Sequence, residues 1–346
     1  MEILSDYTLK EHNSLAIAAK ADWWINYSSP QDLKLLARDE FFLSQPFLSI
    51  GGGNNVLFLE DFKGILLHNT NTDWQEVARD EDSVLLRLGG GIVWDEFVAK
   101  SLQMGFYGLE NLSLIPGTVA ASAVQNIGAY GAEARAFVHS VEAVDVLTGQ
   151  DIKLSNRECR FAYRYSTFKE PEHRSWVITH VTYKLHTTPK PNLSYASLQS
   201  AFAADEEVTP AAIRDKVIAI RESKLPDPKV LPNAGSFFMN PVLPIDEFNA
   251  FIARYPNVPN YPAELPGFRK LAAGKLIEEC GFKQQQTGKV GVYEKQALIV
   301  VNRAAATGAE VAAFAREVIG AVQEKYGVTL HPEVIFVGAE GVRHNV

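Results

Sequence analysis

The glycines of this 346-residue chain are bunched rather than spread along it. Among its 24 glycines, one run stands at Gly51–Gly53 and another at Gly89–Gly91. A third segment, residues 114–132, consists almost entirely of small residues, with Gln125 and Asn126 as the polar exceptions. Glycine accepts positive φ and has no side chain, so these segments let the backbone approach a neighbour closely. This distribution constrains the fold more than any other feature of the chain.

Strands and helices are predicted around these segments. Apolar runs and period-two alternation predict strands at 47–50, 56–59, 84–88, 141–147 and 176–185. Boundary signals predict helices at 95–104, from Pro210 to about Ser223, at 271–280, and from the Thr307–Glu310 capping box to Gly327. Three prolines within residues 225–232 cannot form a helix or a central strand, so we expect a domain boundary there.

Composition excludes several classes of protein. Apolar residues make up 47% of the chain and charged residues 21%, near the globular average, which argues against disorder. The net charge of −8 argues against a uniformly basic nucleic-acid binder but allows a local basic pocket. Two cysteines form neither a disulfide framework nor a four-cysteine metal site, and we expect no metal. The acidic N-terminus and strand-length apolar runs predict a cytoplasmic protein with no membrane segment.

The glycine runs do not form a common nucleotide-binding motif. The chain contains no GxxxxGK[ST], and Gly89–Gly91 lacks the following glycine that GxGxxG requires. Gly51–Asn55 lies between two predicted strands, where it is either a tight turn or a set of backbone N–H groups converging on an anion. The segment 114–132 is either a closely packed helix or a cofactor contact. Two such segments beside strands favour a bulky phosphorylated cofactor over coincidental turns.

Four other residues have both a structural and a chemical interpretation. Arg164, flanked by aromatic residues, forms either a surface contact or a rigid fork for a carboxylate. Lys224 at a helix C-terminus either interacts with the helix dipole or binds a phosphate. Ser236 follows Gly235 in a turn entering a strand, where serine commonly caps backbone. Glu333 at a strand start is either exposed, or buried with a partner or a raised pKa.

Taken together, these segments resemble one family closely, the UDP-N-acetylenolpyruvoylglucosamine reductases. The matching motifs occur in the family's order from about residue 13 to the C-terminus. They are Gly51–Phe58, Ile115–Val119, Gln125–Gly131, Phe161–Ser166, Ser223–Pro228, Asn233–Pro241, Leu271–Ile277 and Pro332–Glu333. An insert near Tyr195 resembles the longer subtype, in which a tyrosine loop folds over the substrate.

The resemblance implies an α+β fold in which FAD binds a domain of the vanillyl-alcohol-oxidase/p-cresol-methylhydroxylase type. This domain would consist of two subdomains, at 1–70 and 71–224. An α+β substrate-binding domain would follow at 225–327, and a C-terminal strand at 328–346 would return to the active-site region. The chain would act as a cytoplasmic monomer on small molecules, without nucleic acid or membrane partners.

The resemblance also implies the ligands and their contacts. NADPH would reduce FAD, and the reduced flavin would reduce UDP-N-acetylglucosamine enolpyruvate to UDP-N-acetylmuramate for peptidoglycan synthesis. The implied cofactor-binding residues are Gly51, Gly52, Gly53, Asn54, Asn55, Ile115, Pro116, Gly117, Ser122, Gln125, Asn126 and Gly128. The implied substrate-binding residues are Tyr195, Lys224, Asn240, Lys283 and Gln296.

Three catalytic residues follow from the same resemblance. Hydride would pass from the flavin to the terminal vinyl carbon, and negative charge would spread into the neighbouring carboxylate. Arg164 and a protonated Glu333 would stabilise this enolate, and Ser236 would donate the final proton.

Two departures from the family pattern are visible. Ala196 and Ser197 replace the usual Gly-Pro after the loop tyrosine, and Ala120 and Ala121 stand where many members carry Gly or Ser. Alternative functions are a flavin oxidase or dehydrogenase acting on a sugar or lactone, and a non-catalytic flavin- or UDP-sugar-binding protein. The joint presence of Arg164, Ser236 and Glu333 argues against the oxidase.

Overall fold

The computed structural model describes residues 1–285 and 287–343, and these form two compact units. The first unit comprises Met1–Tyr7, Asp22–Gly52 and Gly64–Ser223. The second comprises Thr8–Ala21, Gly53–Lys63 and the described residues from Lys224 onward. Lys224 marks the division, one residue before the predicted boundary. Residues 344–346 of the predicted C-terminal segment lie outside the described residues.

The strands alternate with short helices along both units. In chain order the strands are β1 (Glu2–Thr8), β2 (Lys20–Tyr27), β3 (Phe47–Ile50), β4 (Val56–Phe58), β5 (Phe62–Asn69), β6 (Trp74–Arg79), β7 (Ser83–Gly89), β8 (Gly128–Ala129), β9 (Ala132–Glu133), β10 (Val138–Asp145), β11 (Asp151–Ser155), β12 (Trp176–His186), β13 (Asn233–Ser236), β14 (Val242–Pro244), β15 (Asn260–Pro262), β16 (Phe268–Leu271), β17 (Val290–Tyr293), β18 (Gln296–Asn302), β19 (Ile335–Gly338) and β20 (Gly341–Arg343). The helices are α1 (Pro30–Leu36), α2 (Glu40–Leu43), α3 (Trp94–Gln103), α4 (Val119–Gln125), α5 (Ala196–Gln199), α6 (Pro210–Lys224), α7 (Ile245–Arg254), α8 (Ala273–Glu279) and α9 (Gly308–Tyr326).

The largest sheet of the first unit is antiparallel, in the order β11-β10-β12-β7-β6. Its central strand β12 is buried over most of its length, and this burial includes the polar residues Thr179, His180 and Thr182. Trp94, Phe97 and Tyr183 are completely buried between this sheet and helix α3, and their rings contact one another. Burial of these large aromatic side chains stabilises the packing of α3 on the sheet.

A second sheet has the order β1-β2-β5-β3, with β3 parallel to β5. Helix α1 begins at a capping box formed by Ser29 and Asp32. Its buried residues Leu33 and Leu36 pack with Phe42 and Ile65 in a separate apolar cluster. This sheet ends at β3, directly before the first glycine run.

The second unit contains three small sheets, with orders β13-β18-β17, β14-β16-β15 and β20-β19-β4. Strand β4 pairs in parallel with β19, through Val56 with Ile335 and Phe58 with Val337. This pairing explains why residues 53–63 group with the C-terminal part of the chain, whereas the sequence reasoning placed all of 1–70 in one subdomain.

The predicted helix boundaries follow the local signals, with one correction. Helix α9 has the predicted Thr307–Glu310 capping box and ends at Gly327, whose φ is +69°. The helix predicted at 271–280 begins later, at Ala273, because Leu271 pairs with Asn260 in β16. The strand predicted at 141–147 instead covers Val138–Asp145. Within the described residues, no helix combines the length and the apolar character needed to span a membrane.

Candidate active site

The glycine-rich segments converge in the first unit. A Cβ added to Gly51 would lie 3.0 Å from Thr118 Oγ1 and 3.4 Å from the Ala121 Cβ at the start of α4. Gly51 is half-buried and Gly52 is exposed, so the backbone here is accessible. The first glycine run and the small-residue segment therefore form one cradle, as expected for a cofactor site made of backbone.

Gly89–Gly91 belongs to the same arrangement, although the sequence reasoning set this run aside. The Ala120 N–H donates to Gly90 O over 3.0 Å, and a Cβ on Gly90 would lie 2.5 Å from Asn69 Nδ2. Val119 N–H donates to Ile92 O in the same way. The contact with Asn69 explains why residue 90 is a glycine, and only the structure shows this contact. The GxGxxG motif could not indicate it, because that motif belongs to a different fold.

The residues leading into α4 carry the predicted cofactor positions Ile115, Pro116 and Gly117. Pro116 is exposed and its two neighbours are half-buried. Gly117 has a φ of +116°, which favours glycine, and its carbonyl accepts from Trp94 N–H at 3.0 Å. These residues thus form a rigid, accessible edge beside Gly51.

Ser122 is placed differently from its predicted role as a cofactor contact. It is 1% exposed, and its hydroxyl donates to Val119 O at 2.7 Å and lies 2.5 Å from the Tyr183 hydroxyl. Burial strongly raises the pKa of Tyr183, so this phenol stays neutral. The Ser122 side chain therefore fastens α4 to the sheet and does not reach an accessible surface.

Asn126 likewise has no exposed surface. Its φ is +42°, and it ends α4 in the left-handed conformation that asparagine tolerates. Its Nδ2 donates to Ala162 O at 2.9 Å and to Glu133 Oε2 at 3.2 Å, and its Oδ1 accepts from Arg135 N–H at 3.0 Å. Asn126 thus connects the end of α4 to the segment that carries Arg164.

Arg164 lies in a tight turn closed by two hydrogen bonds between Ala162 and Tyr165. Its φ is +54°, and an Nη atom donates to Gly128 O at 3.0 Å. Lys169 Nζ donates both to the Arg164 carbonyl at 3.0 Å and to Gln125 Oε1 at 3.1 Å. The structure therefore brings together three predicted site residues, Arg164, Gln125 and Gly128, in the first unit.

The tyrosine loop is fastened by a buried asparagine. Asn111 Nδ2 donates to Tyr130 O at 2.8 Å and to Asn192 O at 2.9 Å. The Tyr195 ring meets the Tyr130 ring edge to face, with 5.4 Å between centroids, and Tyr195 is 45% exposed. Gly131 has a φ of +82°, which favours glycine, and a Cβ there would also meet Ser194 Oγ. The sequence predicted a role for Tyr195 but did not single out Asn111 or Tyr130.

Ser236 and Glu333 lie on adjacent segments of the second unit. Ser236 is exposed at the end of β13, after Gly235 with a φ of +70°. The Glu333 N–H donates to the carbonyl of Phe237, the residue after Ser236, at 2.8 Å. Asn55 Nδ2 donates to the Glu333 carbonyl at 3.1 Å. The structure thus brings together Ser236, Glu333 and Asn55, which are far apart in sequence.

Three predicted substrate residues have structural contacts in the second unit. Asn240 Oδ1 accepts from Ala273 N–H at 3.0 Å and so holds the start of α8. Lys283 Nζ lies 3.3 Å from Glu278 Oε2. Gln296 Oε1 accepts from Leu298 N–H at 3.2 Å. Lys224 ends α6 and is exposed.

Comparisons with known proteins agree with this fold. A family model described as an FAD binding domain matches residues 28–155. The structure of 6-hydroxy-D-nicotine oxidase from Arthrobacter nicotinovorans is similar, with a TM-score of 0.50 and 13% identity, and covers 95% of this chain and 86% of that one. These matches confirm the predicted α+β fold with an FAD-binding domain. Together with the relatives described next, they show that the protein is an FAD-dependent oxidoreductase.

The particular family follows from the whole-chain matches. The C-terminal domain model of UDP-N-acetylenolpyruvoylglucosamine reductase matches residues 227–337. The reductase of that name from Porphyromonas gingivalis is 49% identical over 339 residues, covering 97% of this chain and 100% of the relative. The Burkholderia vietnamiensis protein is 42% identical over 339 residues, covering 97% of each chain. A Thermus caldophilus reductase structure shares the fold, with a TM-score of 0.66 and 20% identity over 97% of this chain and 98% of that one. The chain belongs to the UDP-N-acetylenolpyruvoylglucosamine reductase family.

Proposed function

We propose that this protein uses NADPH to reduce the enolpyruvyl group of UDP-N-acetylglucosamine enolpyruvate, which yields UDP-N-acetylmuramate for peptidoglycan synthesis. One observation carries the proposal within the family. The hydrogen bond from Glu333 N–H to Phe237 O holds a candidate proton donor, Ser236, on a segment adjacent to a candidate stabilising acid, Glu333. A flavin oxidase of the same fold would not need this pair.

The close packing of Gly51 against Thr118 and Ala121 brings two accessible backbone segments side by side, which supports a cofactor site made of backbone groups. FAD, when bound, accepts hydride from NADPH and supplies hydride to the second substrate. Backbone groups of Gly51, Gly52 and 115–117 would hold the cofactor in the first unit, and the cofactor contacts of Gly53, Asn54 and Asn55 stay predictions. Ser122 and Asn126 would support this backbone from inside the protein. Gln125 and Gly128 would position Arg164 beside the cofactor.

Arg164 is proposed to receive the substrate carboxylate. Its bond to Gly128 O fixes the guanidinium, whose planar fork matches a carboxylate with two parallel hydrogen bonds. As negative charge develops on that carboxylate, a preorganised donor stabilises it without reorganisation. A single donor of this kind contributes roughly 3–4 kcal/mol to transition-state stabilisation.

Glu333 and Ser236 are proposed to handle the protons. A protonated Glu333 carboxyl would donate a hydrogen bond to the developing enolate. Once the terminal vinyl carbon has received hydride, the Ser236 hydroxyl would transfer its proton to the carbon next to the carboxylate. Serine is a weak acid, so this step requires a strongly basic enolate. Positioned general acids typically contribute about 10²–10⁴-fold to rate.

The substrate contacts of Tyr195, Lys224, Asn240, Lys283 and Gln296 stay predictions, as do a cytoplasmic location and a monomeric state. Tyr195 is exposed and held by its loop, which suits a side chain that covers a ligand. Size-exclusion chromatography with light scattering would test the oligomeric state.

A steady-state assay tests the function. Flavin-loaded protein should oxidise NADPH, followed at 340 nm, when UDP-N-acetylglucosamine enolpyruvate is present. UDP-N-acetylglucosamine, which lacks the enolpyruvyl group, is the matched control and should leave the rate at background. Background oxidation with both compounds would contradict the proposal and favour a non-catalytic binding protein. Oxidation of sugars or lactones instead would favour the oxidase.

A further inference from the structure

The side chain of Asn55 takes part in the pairing of β4 with β19. Val56, the first residue of β4, stands opposite Ile335, the first residue of β19, and Ile335 N–H donates to the Asn55 carbonyl at 3.0 Å. One step further along a regular parallel ladder, the Asn55 backbone N–H would donate to the Glu333 carbonyl. In this protein the side-chain amide of Asn55 makes that bond, from Nδ2 to Glu333 O at 3.1 Å. The side chain thus extends the ladder as far as the candidate acid.

The backbone leaves the ladder here because it belongs to the first glycine run. Gly53 has a φ of +63°, and its carbonyl accepts from Ser14 N–H at 3.1 Å. The Ser14 carbonyl in turn accepts from Asn233 N–H at 2.8 Å, at the start of the strand that ends at Ser236. All of these contacts lie within the second unit. Residues 53–55 are thus tied to the segments of both candidate proton-handling residues.

Glu333 is held through its backbone on two sides. Its N–H donates to Phe237 O at 2.8 Å, and its carbonyl accepts from Asn55. The Cα–Cβ bond of Glu333 lies between these two peptide groups, so its direction depends on both. Loss of the Asn55 amide would release the carbonyl side and leave the N–H side in place.

We propose that Asn55 is a positioning residue, whose side-chain amide fixes the Glu333 backbone and so places the Glu333 carboxyl for the developing enolate. This inference rests on the proposed function, which assigns Glu333 as the stabilising acid. The family motif predicts a cofactor contact for Asn55, and its backbone can still make that contact. The competing explanations are that the Asn55 side chain serves the cofactor, or that it contributes to stability alone.

The half-reactions of FAD-loaded Asn55→Ala, followed by anaerobic stopped-flow absorbance, separate these explanations. Reduction by NADPH does not use Glu333, so its rate and the affinity for FAD should stay near those of wild type. The limiting rate of reoxidation by UDP-N-acetylglucosamine enolpyruvate should fall by about 10-fold, because misplacing a catalytic group costs up to about 10²-fold. The half-saturating substrate concentration should change little, since the acid acts on the enolate.

Two further variants complete the comparison. Asn55→Asp has nearly the same shape, but its carboxylate cannot donate to the Glu333 carbonyl. It should slow reoxidation at least as much as Asn55→Ala, and it provides the same test if the alanine variant does not fold. Tyr255→Phe is the matched control, because it also removes a side-chain hydrogen bond to a backbone carbonyl of the second unit, that of Lys325 at 2.8 Å. It should leave both half-reactions unchanged.

A double-mutant cycle with Glu333→Ala shows whether Asn55 acts through Glu333. Once Glu333 is replaced, Asn55→Ala should slow reoxidation by less than about two-fold more, because the effects of coupled positions are not additive. Independent effects in this cycle, equal loss of both half-reactions, loss of FAD, or wild-type reoxidation in both Asn55 variants would overturn the proposal. Failure of the proposed function would appear separately, already in the wild-type protein, as reduced flavin that the substrate does not reoxidise.

Discussion

Replacement of Asn126 by alanine tests how the first unit holds its cofactor segment. The change removes three hydrogen bonds, to Glu133, Ala162 and Arg135. At about 1 kcal/mol net each, these contribute roughly 3 kcal/mol to stability. Alanine at a φ of +42° adds a backbone penalty of about 1 kcal/mol. We expect Asn126→Ala to lower the free energy of unfolding by about 4 kcal/mol, a large part of the ~5–15 kcal/mol of a typical domain.

Urea unfolding followed by tryptophan fluorescence measures this loss. Wild type and variant should be compared at the same saturating FAD concentration, because bound ligand contributes to apparent stability. Asn126→Gly removes the same hydrogen bonds without the backbone penalty, so it should lose about 1 kcal/mol less than Asn126→Ala. A loss below about 1 kcal/mol for Asn126→Ala, with an unchanged m-value, would refute the assignment of these hydrogen bonds as structural.

Two other predictions concern the backbone and pH. A Cβ on Gly53, where φ is +63°, would collide with the His12 carbonyl, so Gly53→Ala should yield insoluble or strongly destabilised protein. The control variant Gly320→Ala, which has open space around the added Cβ, should express normally. A normal Tm for both variants would contradict this explanation. Burial is the largest single influence on Asp95 and would raise its pKa, but the hydrogen bonds from Arg214 and Leu114 N–H, together with the charges of nearby arginines, outweigh it and hold that pKa below its ordinary value. The ionised Asp95 therefore stabilises the folded protein above about pH 4, and this stabilisation is lost as the pH falls through the folded-state pKa. The Tm difference between wild type and Asp95→Asn should be large at about pH 7 and shrink toward about pH 3. A Tm difference that does not change with pH would contradict this role of Asp95.

Local signals allowed much of the fold to be predicted. A capping box and a terminal glycine are read within one helical turn, so the bounds of α9 follow from the sequence. The pairing of β4 with β19 joins residues about 280 positions apart. No local pattern indicates that pairing, which is why the division of the first 70 residues was missed.

The candidate site, too, could be predicted only as far as local sequence patterns and family motifs reach. Family motifs predicted catalytic roles for Arg164, Ser236 and Glu333, and the structure shows hydrogen bonds of the Arg164 side chain and the Glu333 backbone. The small-residue segment 114–132 did not reveal which of its polar side chains point inward. Ser122 and Asn126 are both buried. This burial could not be predicted from local sequence, because it depends on partners from distant segments, such as Tyr183.

The proposed proton transfer from Ser236 is tested most directly by separating the two half-reactions of the Ser236→Ala variant. Anaerobic stopped-flow absorbance at the flavin band follows reduction by NADPH, and then reoxidation by UDP-N-acetylglucosamine enolpyruvate. We predict near wild-type reduction and a reoxidation rate lowered by at least about 10²-fold, because only the second step needs the general acid. Reoxidation at the wild-type rate, or equal loss of both steps, would contradict the role of Ser236.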